Sequence, residues 1–321
     1  MMGRQRPAAS SLFRQGANVS IHARSIRYFD AIRRAGSIRE AARQLHVDSS
    51  AVNRQLLNLE EEIGTPLFER LPSGLRLTEA GRIFARHVLT VLQDEQRAKA
   101  EIERLMGIEG GEVKLGAVEG LSLDFLPLVL DRVMQRHPGI TIHTCTMGSA
   151  DIADQVRAGD VDIGIGFGLP AHPELSSVGQ GEFTLGAIVA AGHPLAGRRS
   201  VSFAQCAAYP LILASEDLAL HALVAPLLEK HGAQARLIAQ TNSIELMRQL
   251  AMRGHGVAFQ TSIGLAKMRA TGRLAYLPLK APVIRVRLQA CIRSARSLPP
   301  AVDAVVAILR EELSRLQGEQ F

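Results

Sequence analysis

The sequence predicts two kinds of structure in one chain. The first is an N-terminal all-α head of the winged helix-turn-helix kind, continued by a long linker helix. The second is a C-terminal α/β body of two lobes. Apolar residues between positions 26 and 63 recur at three- and four-residue spacing, broken by turn and capping residues. Residues 78–106 contain no proline. From residue 113 onward, strand-like apolar runs alternate with amphipathic helical stretches. With 47% hydrophobic and 21% charged residues, a disordered or fibrous chain is excluded. No apolar run reaches the roughly 18 residues that a membrane helix needs, so no membrane partner is expected.

Residues 1–20 have no periodic pattern and are expected to form a flexible tail. They carry three arginines and no long apolar core, which argues against a secretory signal. Cys145, Cys206 and Cys291 lie too far apart for a disulfide framework or a CxxC metal pair. Both features predict a cytoplasmic protein with no structural metal. The head is expected over 21–78. Ile26, Phe29 and Ile32 share a helix face that ends at Gly36. Ser37-Ile-Arg-Glu40 reads as a capping box opening a short helix with Ala41, Ala42 and Leu45 inward. His46-Val-Asp48 is a turn, and Asp48 or Ser49 caps a helix whose Val52, Leu56, Leu59 and Ile63 face the core. Two helices, a short turn and small alanines at their crossing make a helix-turn-helix over about 38–57. Leu71–Leu77 is a hairpin around Ser73-Gly74, a small wing, and Thr78 can cap the next helix.

Charge is concentrated in this head. Residues 1–90 hold fourteen basic and eight acidic side chains, whereas 91–321 hold 23 of each. A basic head on a neutral body fits a polyanionic partner. The outer face of the second helix of the motif presents Ser49, Ser50, Asn53, Arg54 and Asn58. With Ser37 at the motif's start and Arg70, Ser73 and Arg76 on the wing, these are the candidate contacts to phosphates and base edges of double-stranded DNA. An ordinary solvent face has a similar composition, and Arg70 has a structural alternative, with its stem packed on the helices.

The string AARQLHVDSSAVNRQLLNLEEEIGTPLFERLPSGLRLTEAG resembles the LysR-type transcriptional regulators over about 60 residues without a gap, and LEEEIGTPLFER and LTEAG are specific to that family. The resemblance implies a sequence-specific transcriptional regulator, not an enzyme. It also implies a self-association through the linker helix, first as a dimer and then as a tetramer, and RNA polymerase as a further partner. Two positions that face DNA in the family depart from its usual residues: Ser49 stands where many members carry Gln, and Asn53 where many carry Ser.

The linker helix is expected over 79–106, about 42 Å long at 1.5 Å per residue. Phe84, Val88, Val91, Ala98, Ile102 and Leu105 alternate at four and three residues, with Glu95 as one acidic interruption. This reads as a coiled-coil seam between subunits in preference to packing on its own domain, because a head of this size has little room for so long a helix. The break at 107–111 marks the domain boundary.

The body, 111–321, is expected to hold a parallel sheet, given its βαβαβ order over 113–167 and a second cycle after it. Two cycles imply two lobes and a cleft. The resemblance implies a small-molecule effector domain of the periplasmic-binding-protein kind, with lobe one at 111–167 and 262–321 and lobe two at 168–261. The chain would then cross near 167–169 and 260–262. Ligands in such sheets bind beyond the carboxyl ends of strands, at helix N-termini. The candidate effector residues are Val118, Gly120, Ser122, Gly148, Ser149, Phe167, Ser215, Asn242 and Ser243. The serines and Asn242 serve equally as helix caps. A carboxylate effector is the default, while Glu119 leaves a neutral or cationic one open. Phosphate-loop, HExxH and GxSxG motifs are absent, and Gly164–Gly168 matches a dinucleotide loop only superficially, so no catalytic residue or cofactor is expected. A regulator with a thiol redox switch and a cytoplasmic solute-binding protein are the alternatives. Against the first, Cys145 and Cys206 are far apart; Cys145 and Cys291 are expected to be buried in strands.

Overall fold

The computed structural model describes residues 24–106, 110–231, 235–265, 268, 271–280, 282–294 and 297–318. The expected tail at 1–20 lies outside the described residues. The chain divides into two compact units, Met1–Gln96 and Arg97–Phe321.

The head contains α1 (Arg24–Ala35), α2 (Ile38–Leu45), α3 (Ser49–Ile63), β1 (Phe68–Leu71), β2 (Gly74–Leu77) and the start of α4 (Glu79–Leu105). Its core joins Phe29, Ile32, Ala41, Ala42, Val52, Leu56, Leu59 and Leu67. Phe29 anchors it, with its ring 5.1 Å from that of Phe68 and 4.9 Å from that of Phe84. The capping box expected at Ser37 does not form. The Ser37 side chain makes no cap bond, and Glu40 is engaged one turn on, by Arg43 and by Gln44 at 3.3 Å. Thr78 does cap α4, accepting from the Gly81 amide at 2.9 Å.

Two glycines set the wing. Leu75 donates its amide to the Gly36 carbonyl at 2.7 Å, which ties the hairpin to the α1–α2 turn. A Cβ on Gly74, where φ is +128°, would lie 2.6 Å from that same carbonyl oxygen. A Cβ on Gly81 would lie 2.0 Å from the Leu67 carbonyl oxygen, so α4 can start beside β1 only with glycine there.

The expected intersubunit seam needs correction in its first half. Val88 is fully buried in the head's own core, and Phe84 packs edge-on against Phe29. Glu95 is not an interruption but half of an ion pair: it is buried and accepts from Arg27 Nη2 at 2.6 Å. The argument from length failed because α1 offers this helix a surface to pack on. Ile102 and Leu105 are exposed, at 50% and 89%.

The body contains β3 (Gly111–Ala117), a 3₁₀ turn (Glu119–Leu121), α5 (Phe125–Arg136), β4 (Ile140–Thr146), α6 (Ser149–Ala158), β5 (Ile163–Phe167) and β6 (Leu175–Ala190). It continues with α7 (Phe203–Ala207), β7 (Leu211–Ala214), α8 (Ala219–His231), β8 (Leu237–Thr241), α9 (Ile244–Met252), β9 (Val257–Thr261), β10 (Leu274–Pro278), β11 (Arg285–Arg293) and α10 (Pro300–Gly318). The strand order is β4-β3-β5-β11-β6-β9-β7-β8, with β10 on β6. The sheet is mixed, not all-parallel: β3, β4 and β5 are parallel, as are β7, β8 and β9, but β6, β10 and β11 run antiparallel to their partners.

Two lobes form, around separate cores on either side of β6. Their crossings differ from the expected ones. β6 begins in lobe one, paired with β11 from Leu175 to Thr184, and ends in lobe two, paired with β9 and β10. The chain therefore crosses inside β6 and not at 167–169. β10, expected in lobe one, pairs with β6 at 186–190, and Leu274, Leu277 and Leu279 fill lobe-two cores. The return crossing thus falls at the start of β11, whose Val286 packs in the lobe-two core and whose Leu288 packs in the lobe-one core. A mid-strand crossing leaves no turn residue to mark it in the sequence.

Replacing Val88 by Ala should lower head stability by about 1–3 kcal/mol through the lost methyl groups and the cavity. Denaturant unfolding at two protein concentrations checks this. The loss should be the same at both, as for a core residue and not an interface residue.

Candidate functional site

The candidate residues of the head lie on α3, at the start of α2 and on the hairpin. Ser49, Ser50, Arg54 and Asn58 are exposed along α3, and Asn53 is half-buried. Arg70 reaches from β1 and donates from Nη2 to Asn53 Oδ1 at 3.3 Å, linking the wing to α3. Its guanidinium, not only its stem, therefore meets the helix. Arg76 lies opposite Glu69 in the hairpin and donates to it from Nε at 2.7 Å. That bond holds the Glu69 carboxyl below its ordinary range and the Arg76 guanidinium above its own. Ser73 is exposed at the wing tip, and Ser37 is half-buried at the start of α2.

In the body, a cavity of about 580 Å³ opens between the lobes. Val118, Gly120, Gly148, Ser149, Phe167, Asn242 and Ser243 line it, so seven of the nine expected residues meet there. Ser122 and Ser215 do not. The 3₁₀ turn at Glu119–Leu121 buries Leu121 and leaves Ser122 outward, with α5 starting only at Phe125. The Asn242 amide donates from Nδ2 to Asp217 Oδ2 at 3.2 Å, while Ser215 Oγ is buried without a hydrogen-bond partner among the described residues. The walls are largely apolar, with Met147, Leu218, Leu220, Leu223, Ile244, Ile263 and Val286 among them.

Two charged residues in the wall carry more weight than the sequence suggested. Glu119 leaves lobe one and accepts from Ser243 Oγ at 2.9 Å and from the Ile244 amide at 2.7 Å, at the N-terminus of α9 in lobe two. Ser243 also caps that helix, accepting from the Leu246 amide at 3.2 Å. Arg248, one turn on, is 2% exposed. It donates from Nε to Gln260 Oε1 at 2.7 Å and from Nη2 to the Gly120 carbonyl at 3.1 Å. Burial pulls its guanidinium below its ordinary value, while Glu245, Glu119 and Asp124 oppose that. An arginine within an amphipathic helix reads as surface, and only its buried acceptors betray it.

Comparison with known proteins covers both parts of the chain. Residues 23–82 match the bacterial regulatory helix-turn-helix protein, lysR family, and residues 107–314 match the LysR substrate binding domain. The chain belongs to the LysR-type transcriptional regulator family. It is a DNA-binding transcriptional regulator with a substrate-binding effector domain, and its family and relatives are regulators, not enzymes. A RuBisCO operon transcriptional regulator of Allochromatium vinosum is 26% identical over 293 residues, spanning 91% of this chain and 97% of the relative. Among solved structures, full-length OxyR from Pseudomonas aeruginosa has a TM-score of 0.67 at 19% identity, covering 89% of this chain and 93% of that one. Full-length CbnR, solved with its target DNA, has a TM-score of 0.53 at 21% identity, covering 90% and 99%. At these identities the solved structures establish the fold.

Among the described residues of this regulator no helix is long and apolar enough to cross a membrane. Its thiols correct one expectation. Cys145 is exposed, because β4 is an edge strand whose outer side has no cover. Cys206 and Cys291 are buried, and burial pushes their thiols up to about 12 and about 11. Only a thiolate attacks a disulfide. An aromatic disulfide reagent at neutral pH should therefore modify one cysteine in the folded protein and three in denaturant. Rapid reaction of two or more in the folded state would contradict the burial described here.

Proposed function

We propose that this regulator reads double-stranded DNA with α3 and the wing, and that a small molecule in the interlobe cavity switches it. The observation that carries the first half is the exposed polar face of α3 whose Asn53 is joined to the wing by Arg70. Ser49, Ser50, Asn53, Arg54 and Asn58 serve the groove, and Ser37, Arg70, Ser73 and Arg76 its margins. Arg76 has its charge offset by Glu69, so Arg54 and Arg70 are the stronger cationic contacts. The solved CbnR–DNA complex supports DNA as the partner.

The cavity supports the second half. It is apolar with a few convergent polar groups, and its walls come from both lobes, as a ligand-controlled cleft requires. A ligand touching both lobes shifts their equilibrium by at most its difference in affinity for the two arrangements. Its binding residues would be Val118, Gly120, Gly148, Ser149, Phe167, Asn242 and Ser243. The working domain division is a head at 21–78, a linker at 79–106 and an effector domain at 111–321. Dimerisation is proposed through the part of the seam beyond the head's core, Val91, Ala98, Ile102 and Leu105, with a tetramer as the higher assembly. Action in the cytoplasm and on RNA polymerase completes the reading.

Arg54→Ala tests it. Operator binding, measured by gel shift on DNA upstream of the regulator's own gene, should weaken by about 1–3 kcal/mol, roughly five- to 150-fold. A base contact would make the loss specific to the operator, whereas a phosphate contact would weaken all sequences and flatten the salt dependence. Unchanged binding to operator and random DNA alike would remove α3 from the interface.

A further inference from the structure

The N-terminus of α9 is the natural place in lobe two for the anionic end of an effector, since its free amides and dipole favour negative charge. In this structure that place is taken. Both carboxylate oxygens of Glu119 are bound there, Oε1 by the Ser243 hydroxyl at 2.9 Å and Oε2 by the Ile244 amide at 2.7 Å. Among the described residues, the one arginine in the cavity wall is committed as well. Arg248 is buried beneath the same helix, with its Nε on Gln260 and its Nη2 on the Gly120 carbonyl, the residue next to Glu119. Asp217 adds a further negative charge to the wall. At α9 an incoming carboxylate would thus find its amide donor occupied, two like charges and, among the described residues, no uncommitted cation in this wall.

We propose that Glu119 is a tethered anion that substitutes for the acidic end of an effector, and that it sets the specificity of the cleft. Glu119 comes from lobe one and α9 belongs to lobe two, so the same contact holds the two lobes together. The cleft accordingly takes a ligand with no carboxylate directed at α9, whose body lies on the apolar wall of Leu218, Leu220, Leu223 and Ile263. This rests on the reading of the cavity as the effector site.

The test is chemical rescue with acetate, which is the fragment that Glu119→Ala removes. Full-length Glu119→Ala should melt about 2–4 °C below wild type. Acetate should raise its midpoint above that in chloride of equal ionic strength, and should leave wild type at its chloride value. Hydrogen exchange of the Ile244 amide should quicken in the variant and slow again with acetate. Absence of rescue, or an equal acetate effect on wild type, would overturn the proposal. Should Glu119→Ala not fold, the near-isosteric Glu119→Gln should still speed exchange at Ile244, and unchanged exchange there would overturn it equally. Operator binding by wild type is unaffected by either result, so failure here is distinguishable from failure of the regulator reading.

Discussion

Strand β6 runs sixteen residues and serves two sheets, and the architecture of the body follows from that double commitment. Its first half is held by β11 and its second by β9 and β10. Backbone hydrogen bonds in a ladder must be satisfied along the whole strand, so the two sheets share one continuous backbone element at this seam. The cavity opens beside this seam, where β3 and β4 release the chain into Val118 and Met147 and where Gln260 and Thr261 of β9 and Val286 of β11 complete the wall. The cleft is therefore a product of strand pairing, not of the residues that line it.

The head depends on a comparable sharing by α4. Its first turns complete the core around Phe29 through Phe84 and Val88, and Glu95 receives Arg27 from α1. A buried carboxylate without that guanidinium would be costly, so the pair fixes where the helix lies along α1. Beyond it Ile102 and Leu105 are exposed, Leu105 the most of the large hydrophobic residues among the described ones.

Much of this was legible in the sequence, and the failures have physical causes. Helical spacing found α1, α2 and α3, because period 3.6 is a strong signal over several turns. It could not say which neighbour a buried face meets, so Phe84 and Val88 were read as an intermolecular seam. Strand β10 was missed because a short run ending in Pro278 carries little periodic signal. In the site, loop serines and glycines were found from strand ends and helix starts. Ser122 was misplaced by a single turn of 3₁₀ helix. Arg248 went unnoticed, since a charged side chain shows its burial only through acceptors that lie 12 and 128 positions away.

The contact between Gly36 and the wing has a thermodynamic side. Leu75 is bonded to the Gly36 carbonyl, and Gly74 lies so close to it that no side chain fits between. A hairpin of two four-residue strands is marginal alone in water, and its ordering would otherwise be charged to the moment of DNA binding. Here the backbone of the helical motif has already removed that freedom when the head folds. In the proposed contact with DNA, association would then lose less conformational entropy, and more of the contact free energy of the wing would remain as affinity.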